Sequence, residues 1–189
     1  MCLDLLRNPV KAIEDAKKQK NMTKIFSITV LTAIIFAISI GIFMFRTAFS
    51  TTPLIIGGSM IVFFLFSLVC ILFLGLIVEI SVNTLGGKGT YYEGLTSSTY
   101  SLFIISVGLL IASIFMLVPY GIVVSVIVFG VLLSLGLSIL YRSVKELFKT
   151  DMITSFVTIS IVTMTFFIAL FLISVLTVGD LSKFMPMMV

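Results

Sequence analysis

A chain of 189 residues that is 60% hydrophobic and only 11% charged, with a mean hydropathy of +1.31, is excluded from the water-soluble domains. Its 18 Phe, 10 Met and long Ile, Leu and Val runs present more apolar surface than one domain hides from water, so the lipid bilayer is its first partner. The net charge of +4 does not indicate nucleic acid, because the Lys and Arg flank apolar runs; anionic lipid headgroups are the expected counter-charge.

The expected fold is all-α: a polytopic bundle of five transmembrane helices with a short amphipathic helix before it. A basic cytoplasmic segment covers residues 1–24 and the membrane domain covers 25–189. In the leader, Asn8 followed by Pro9 has the form of an N-cap and first helical turn, and Leu6, Val10 and Ile13 fall on one face. Lys17, Lys18 and Lys20 complement the dipole at the other end. These features predict a helix lying on the membrane surface; a frayed basic leader is the alternative. The run from Ile25 to Phe45 is too long for a secretory signal and ends at Arg46 without a cleavage site, so it reads as a retained first span.

The remaining spans are expected over 54–82, 91–118, 121–140 and 152–178. Thr90-Tyr91-Tyr92-Glu93 has the form of a capping box and places the start of the third span at Tyr91. Pro119-Tyr120-Gly121 predicts a tight turn, which makes the third and fourth spans an antiparallel hairpin. With these spans, Arg7, Lys11, Lys17, Lys18, Lys20, Lys24, Lys88, Arg142, Lys145 and Lys149 fall on one side, and Arg46 and Lys183 on the other. The positive-inside rule then predicts a cytoplasmic N-terminus and an external C-terminus.

Three rows of small residues at four-residue spacing are expected to pack helices together or to mediate self-association: Ala33, Ala37 and Gly41; Gly108 and Ala112; Gly130, Ser134 and Ser138. The fifth span carries Thr154, Ser155, Thr158, Ser160, Thr163 and Thr165, whose hydroxyls have three destinations open to them: other helices, their own carbonyls or a polar pathway. Cys70, inside the second span, reads as a small buried hydrophobe, and with Cys2 it suggests no disulfide framework.

Chemistry-bearing residues are few. The absence of histidine removes zinc-protease motifs and the Ser/His and Cys/His nucleophile pairs. Asp151 and Asp180 bracket the fifth span and stand about 40 Å apart on a straight helix, so they form no dyad. No catalytic residue, cofactor or metal is expected. Gly86-Gly87-Lys88-Gly89-Thr90 lacks the Ser or Thr that a phosphate-binding loop needs directly after Lys, and reads as a glycine helix terminus, a tight turn and a cap. Glu79, near the inner end of the second span, reads either as an interfacial carboxylate paired with Lys88 or Arg142 or as a functional site.

From Glu79 through Gly86-Gly87-Lys88-Gly89-Thr90 to Glu93, and then at Tyr100-Ser101-Leu102, the chain resembles the Yip domain family, the Ypt/Rab-GTPase-interacting integral membrane proteins. That family typically has a Gly-Gly-Lys-Gly-Ser/Thr loop after its second span, a Tyr-Ser step entering the third, and five spans with a cytoplasmic N-terminus. The Asn8-Pro9-Val10-Lys11-Ala12 opening and Ser143-Val144-Lys145-Glu146-Leu147 are similar to the opening of prokaryotic members and to their connection before the last span. Where eukaryotic members have Gly-Tyr-Ser-x-x-Pro, this chain has Thr99-Tyr100-Ser101-Leu102-Phe103-Ile104, and it lacks their long leader with its Asp-Leu-x-Gly-Pro motif. The resemblance implies a compact, prokaryotic-type member in the cell membrane, a non-enzymatic scaffold or adaptor in membrane organisation or trafficking. Gly86, Gly87, Lys88, Gly89, Thr90 and Glu93 are its candidate functional loop, and Glu79, Tyr100 and Ser101 its candidate polar residues in or near the membrane. A small transporter or channel using Glu79 and the polar fifth span is the rival expectation.

Overall fold

The computed structural model describes residues 8–47, 53–118, 121–165 and 168. The helices are α1 (Pro9–Gln19), α2 (Met22–Thr47), α3 (Pro53–Thr84), α4 (Tyr91–Phe115), α5 (Gly121–Phe148) and α6 (Met152–Thr165). By length and composition α2, α3, α4 and α5 are each able to cross a membrane. The chain is therefore a helical membrane bundle, as its composition requires. The part of the expected fifth span beyond α6 lies outside the described residues, as do Leu6, Pro119 and Tyr120.

Helix α4 sits at the centre, packed against α2, α3 and α5. It is the least apolar of the four long helices and the most buried, with every residue from Glu93 to Ser101 buried. Hydroxyls on α4 and its neighbours bond across the helix contacts. Thr29 and Thr99 share a hydrogen bond of 2.9 Å, Ser113 donates to the Ser39 carbonyl at 3.1 Å, Ser101 donates to Gly136 at 2.8 Å and Ser125 donates to Ala112 at 2.7 Å. The last two pairs show α4 and α5 running antiparallel, which is the expected hairpin.

Two of the three small-residue rows are seams. Ala33, Ala37 and Gly41 are buried, Gly41 against Met60 of α3; Gly108 and Ala112 are buried, Gly108 against Leu132 of α5. The third row does not pack helices within the described bundle: Gly130, Ser134 and Ser138 face outward, and α5 meets α4 instead through Gly136, which lies against Ile105. A helix that is apolar almost all round carries no stripe to announce its inner face. A close backbone approach joins Gly75 of α3 to Gly94 of α4. A Cβ on Gly94 would run into the Gly75 carbonyl oxygen, and one on Gly75 would stand 2.9 Å from the Leu95 Cα.

Helix α1 forms as expected and packs against α5 with Ala12, Ile13 and Ala16 buried, so this part of its apolar face meets protein. One further expectation changes. Helix α5 does not stop near Leu140 but continues two turns to Phe148, with Ser143, Val144, Leu147 and Phe148 buried along one side. The stretch Ser143 to Leu147 is therefore helix, not connection. Four of the α6 hydroxyls turn back along the chain: Ser155, Thr158, Ser160 and Thr165 donate to carbonyls four residues earlier.

Replacing Gly94 by Ala forces α3 and α4 apart and is expected to destabilise the detergent-solubilised protein by about 1–3 kcal/mol, the usual cost of overpacking. Gly130→Ala, where a Cβ meets open space, should leave stability unchanged or raise it by up to about 1 kcal/mol through helix propensity. Thermal unfolding of both variants beside the parent chain measures the contrast.

Candidate functional site

The turn from α3 to α4 is closed by its own backbone and by one side chain. Gly86 N–H donates to the Asn83 carbonyl at 3.3 Å and Gly87 N–H to Val82 at 3.0 Å, with Gly86 in the left-handed region at φ 88°. That conformation favours glycine. The Asn83 side chain then brackets Gly89: its Oδ1 accepts from Gly89 N–H at 3.1 Å and its Nδ2 donates to the Gly89 carbonyl at 3.4 Å. Thr90 N–H donates to Glu93 Oε2 at 2.7 Å, and the Thr90 hydroxyl bonds the same carboxylate oxygen. This is the reach-back half of the expected capping box.

These bonds define what the loop is able to bind. The N–H groups of Gly86, Gly87, Gly89 and Thr90 are all spent on the protein, and the Glu93 carboxylate stands at the N-terminus of α4, where a phosphate would otherwise sit. The glycines serve close packing. A Cβ on Gly87 would press on the Val82 side chain and lie 3.1 Å from Thr150 Cγ2, and one on Gly89 would enter the ring of Phe148. The loop therefore rests on the inner end of α5, with Lys88 exposed at its tip.

Three bonds tie α1 to this same end. Lys20 Nζ forms an ion pair with Glu93 Oε1 at 2.8 Å, the Tyr92 hydroxyl donates to the Ala16 carbonyl at 3.0 Å, and Lys17 Nζ donates to the Glu146 carbonyl in the last turn of α5. The hydrogen bond to Glu93, followed by its charge, holds the Lys20 ammonium above the usual lysine range. Glu93 is only 6% exposed, so its charge depends on these partners.

Of the other sequence-derived candidates, Ser101 is part of the α4–α5 contact and Tyr100 is buried at 1% exposure. Neither belongs to the loop cluster. Glu79 is half-buried on α3 and, among the described residues, pairs with neither Lys88 nor Arg142. Cys70 is a free, half-buried thiol. Sequence reasoning missed Asn83, Phe148, Lys20, Tyr92, Gly75 and Gly94. Only the isolated glycines carried a signal, since a glycine inside a helix commonly marks close backbone approach. Phe148 lies 59 positions from Gly89, too far for local patterning to connect them.

The family model for the Yip1 domain matches residues 3–176. No curated protein and no solved structure matches the chain.

Gly89→Ala is expected to destabilise the protein by about 1–3 kcal/mol through its collision with the Phe148 ring. Phe148→Leu should recover part of that loss, so the double variant is more stable than the sum of the single changes allows. Melting temperatures of the four proteins in the same detergent decide it; strictly additive losses would mean that the two residues do not meet.

Proposed function

We propose that this chain, which belongs to the Yip1 domain family, is a non-enzymatic membrane scaffold whose binding surface is the end of the bundle formed by the glycine loop and α1. The observation that carries this reading is the loop itself. It is packed closely on Phe148, with the amides of Gly86, Gly87, Gly89 and Thr90 internally paired, and it presents an exposed Lys88. Such a surface suits recognition by a partner protein more than chemistry on a small substrate.

Lys11, Lys17, Lys18, Lys20, Lys24, Lys88, Arg142, Lys145 and Lys149 belong to helix ends and connections at this end of the bundle. By the positive-inside rule this end faces the cytoplasm, in the cell membrane of a prokaryote, where the exposed cations also meet anionic headgroups. Transport is the weaker reading. The hydroxyls of Ser155, Thr158, Ser160 and Thr165 bond back to carbonyls four residues earlier, which supports packing over a polar pathway.

Cross-linking in native membranes followed by affinity purification of the full chain is expected to recover a reproducible set of proteins. That set should be depleted several-fold by Lys88→Glu while the bundle stays folded. A set unaffected by the substitution, or none at all, overturns the scaffold reading. Flux through reconstituted liposomes that Glu79→Gln abolishes would transfer the assignment to transport.

A further inference from the structure

We propose that Glu93 is a positioning residue that couples the docking of α1 to the conformation of the glycine loop, so that a partner engaging one surface alters the other. The significance of this coupling rests on reading both surfaces as partner-facing, but the coupling itself belongs to the chain alone.

The two oxygens of Glu93 serve different segments. Oε1 takes the Lys20 ammonium, and Oε2 takes the N–H and hydroxyl of Thr90. A carboxylate this buried keeps its charge only while its hydrogen-bond capacity is filled, so loss of either partner weakens the hold on the other. Each segment depends on the residue that Glu93 holds. Lys20 adopts the left-handed conformation, φ 42°, that ends α1 and turns the chain into α2; its N–H donates to the Ala16 carbonyl. The same carbonyl accepts the hydroxyl of Tyr92, the residue before Glu93. Thr90 closes the loop, directly after the Gly89 that Asn83 and Phe148 immobilise.

A second route reinforces the first. Lys17 of α1 bonds the Glu146 carbonyl, two residues from the Phe148 on which Gly89 rests. Both routes are continuous chains of contact between α1 and the loop. By thermodynamic linkage a coupling carried by these contacts is reciprocal: the free energy by which a docked α1 favours the closed loop equals that by which the closed loop favours docking of α1.

Hydrogen exchange of the full chain in lipid nanodiscs, without any partner, tests the proposal. Lys20→Met removes no atom of the Thr90–Glu93 bonds, so without coupling its effect is confined to residues 9–21. The coupling predicts that amide exchange in residues 86–90 also rises by about fivefold or more, the low end of measured couplings between sites. Glu93→Gln should speed exchange in both segments together, and Lys20→Met combined with Glu93→Gln should add little to the larger single effect. Loop exchange unchanged in Lys20→Met overturns the proposal, as does a strictly additive double variant. Should Glu93→Gln fail to fold, Lys20→Met still decides, because its side chain is 60% exposed and its loss creates no cavity. Since exchange is read without a partner, failure here is distinct from failure of the scaffold reading, which partner capture alone reports.

Discussion

Hydrocarbon offers a hydroxyl nothing to bond, and the position of α4 follows from that constraint. Thr96, Ser97, Ser98, Thr99, Ser101, Ser106 and Ser113 are buried on it, and the ones at helix contacts bond across to α2 and α5. The most polar span is thus innermost, while α3 and α5 turn Ile, Leu, Val and Phe outward. In water the order would be reversed, with apolar side chains inside. Here lipid removes the hydrophobic gain from helix association, and close packing and hydrogen bonds supply it instead.

Close packing in turn requires that backbones meet. The Gly75–Gly94 contact brings α3 onto the first turns of α4, so the residues that follow α3 and those that begin α4 are held by the same crossing. The connection between them is short, with Gly86 at positive φ and Asn83 reaching across to Gly89. The glycine loop is therefore an outcome of helix crossing as much as a motif in its own right. Its glycines are needed where α3, α5 and the loop approach one another, at Val82, Phe148 and Thr150.

Spans and caps were legible in the sequence because each is a local property: a run of apolar residues, a Thr three positions before a Glu, a Pro after an Asn. The inward face of a helix is a different kind of fact. Ala33, Ala37 and Gly41 pack as expected on α2, but on α5 Gly130, Ser134 and Ser138 form an equally good row that faces outward, while the seam uses Gly136. Nothing local separates the two rows, since both carry small residues on an apolar helix. The same limit applied to α1. Its amphipathic pattern was visible, yet whether Ala12, Ile13 and Ala16 would meet lipid or protein depended on α5 extending two turns beyond the apolar run. In the candidate site, Thr90 and Glu93 were readable as a cap, whereas Lys20 is 73 positions from Glu93, and only the fold brings them together.

The placement of Glu93 also limits how this end of the molecule is recognised. A helix N-terminus in a glycine-rich turn ordinarily attracts an anion, through free amides and the positive end of the helix dipole. Here a carboxylate from the helix itself occupies that position, takes the Thr90 N–H and is paired with a lysine, so the charge an incoming anion would supply is already present. The attraction that remains is carried by exposed side chains that have no such partner among the described residues, above all Lys88, and by the shape of the loop on Phe148. A partner matched to this surface would supply a carboxylate-bearing or otherwise anionic contour beside an apolar one. A free nucleotide phosphate would find the amides of Gly86, Gly87, Gly89 and Thr90 already taken.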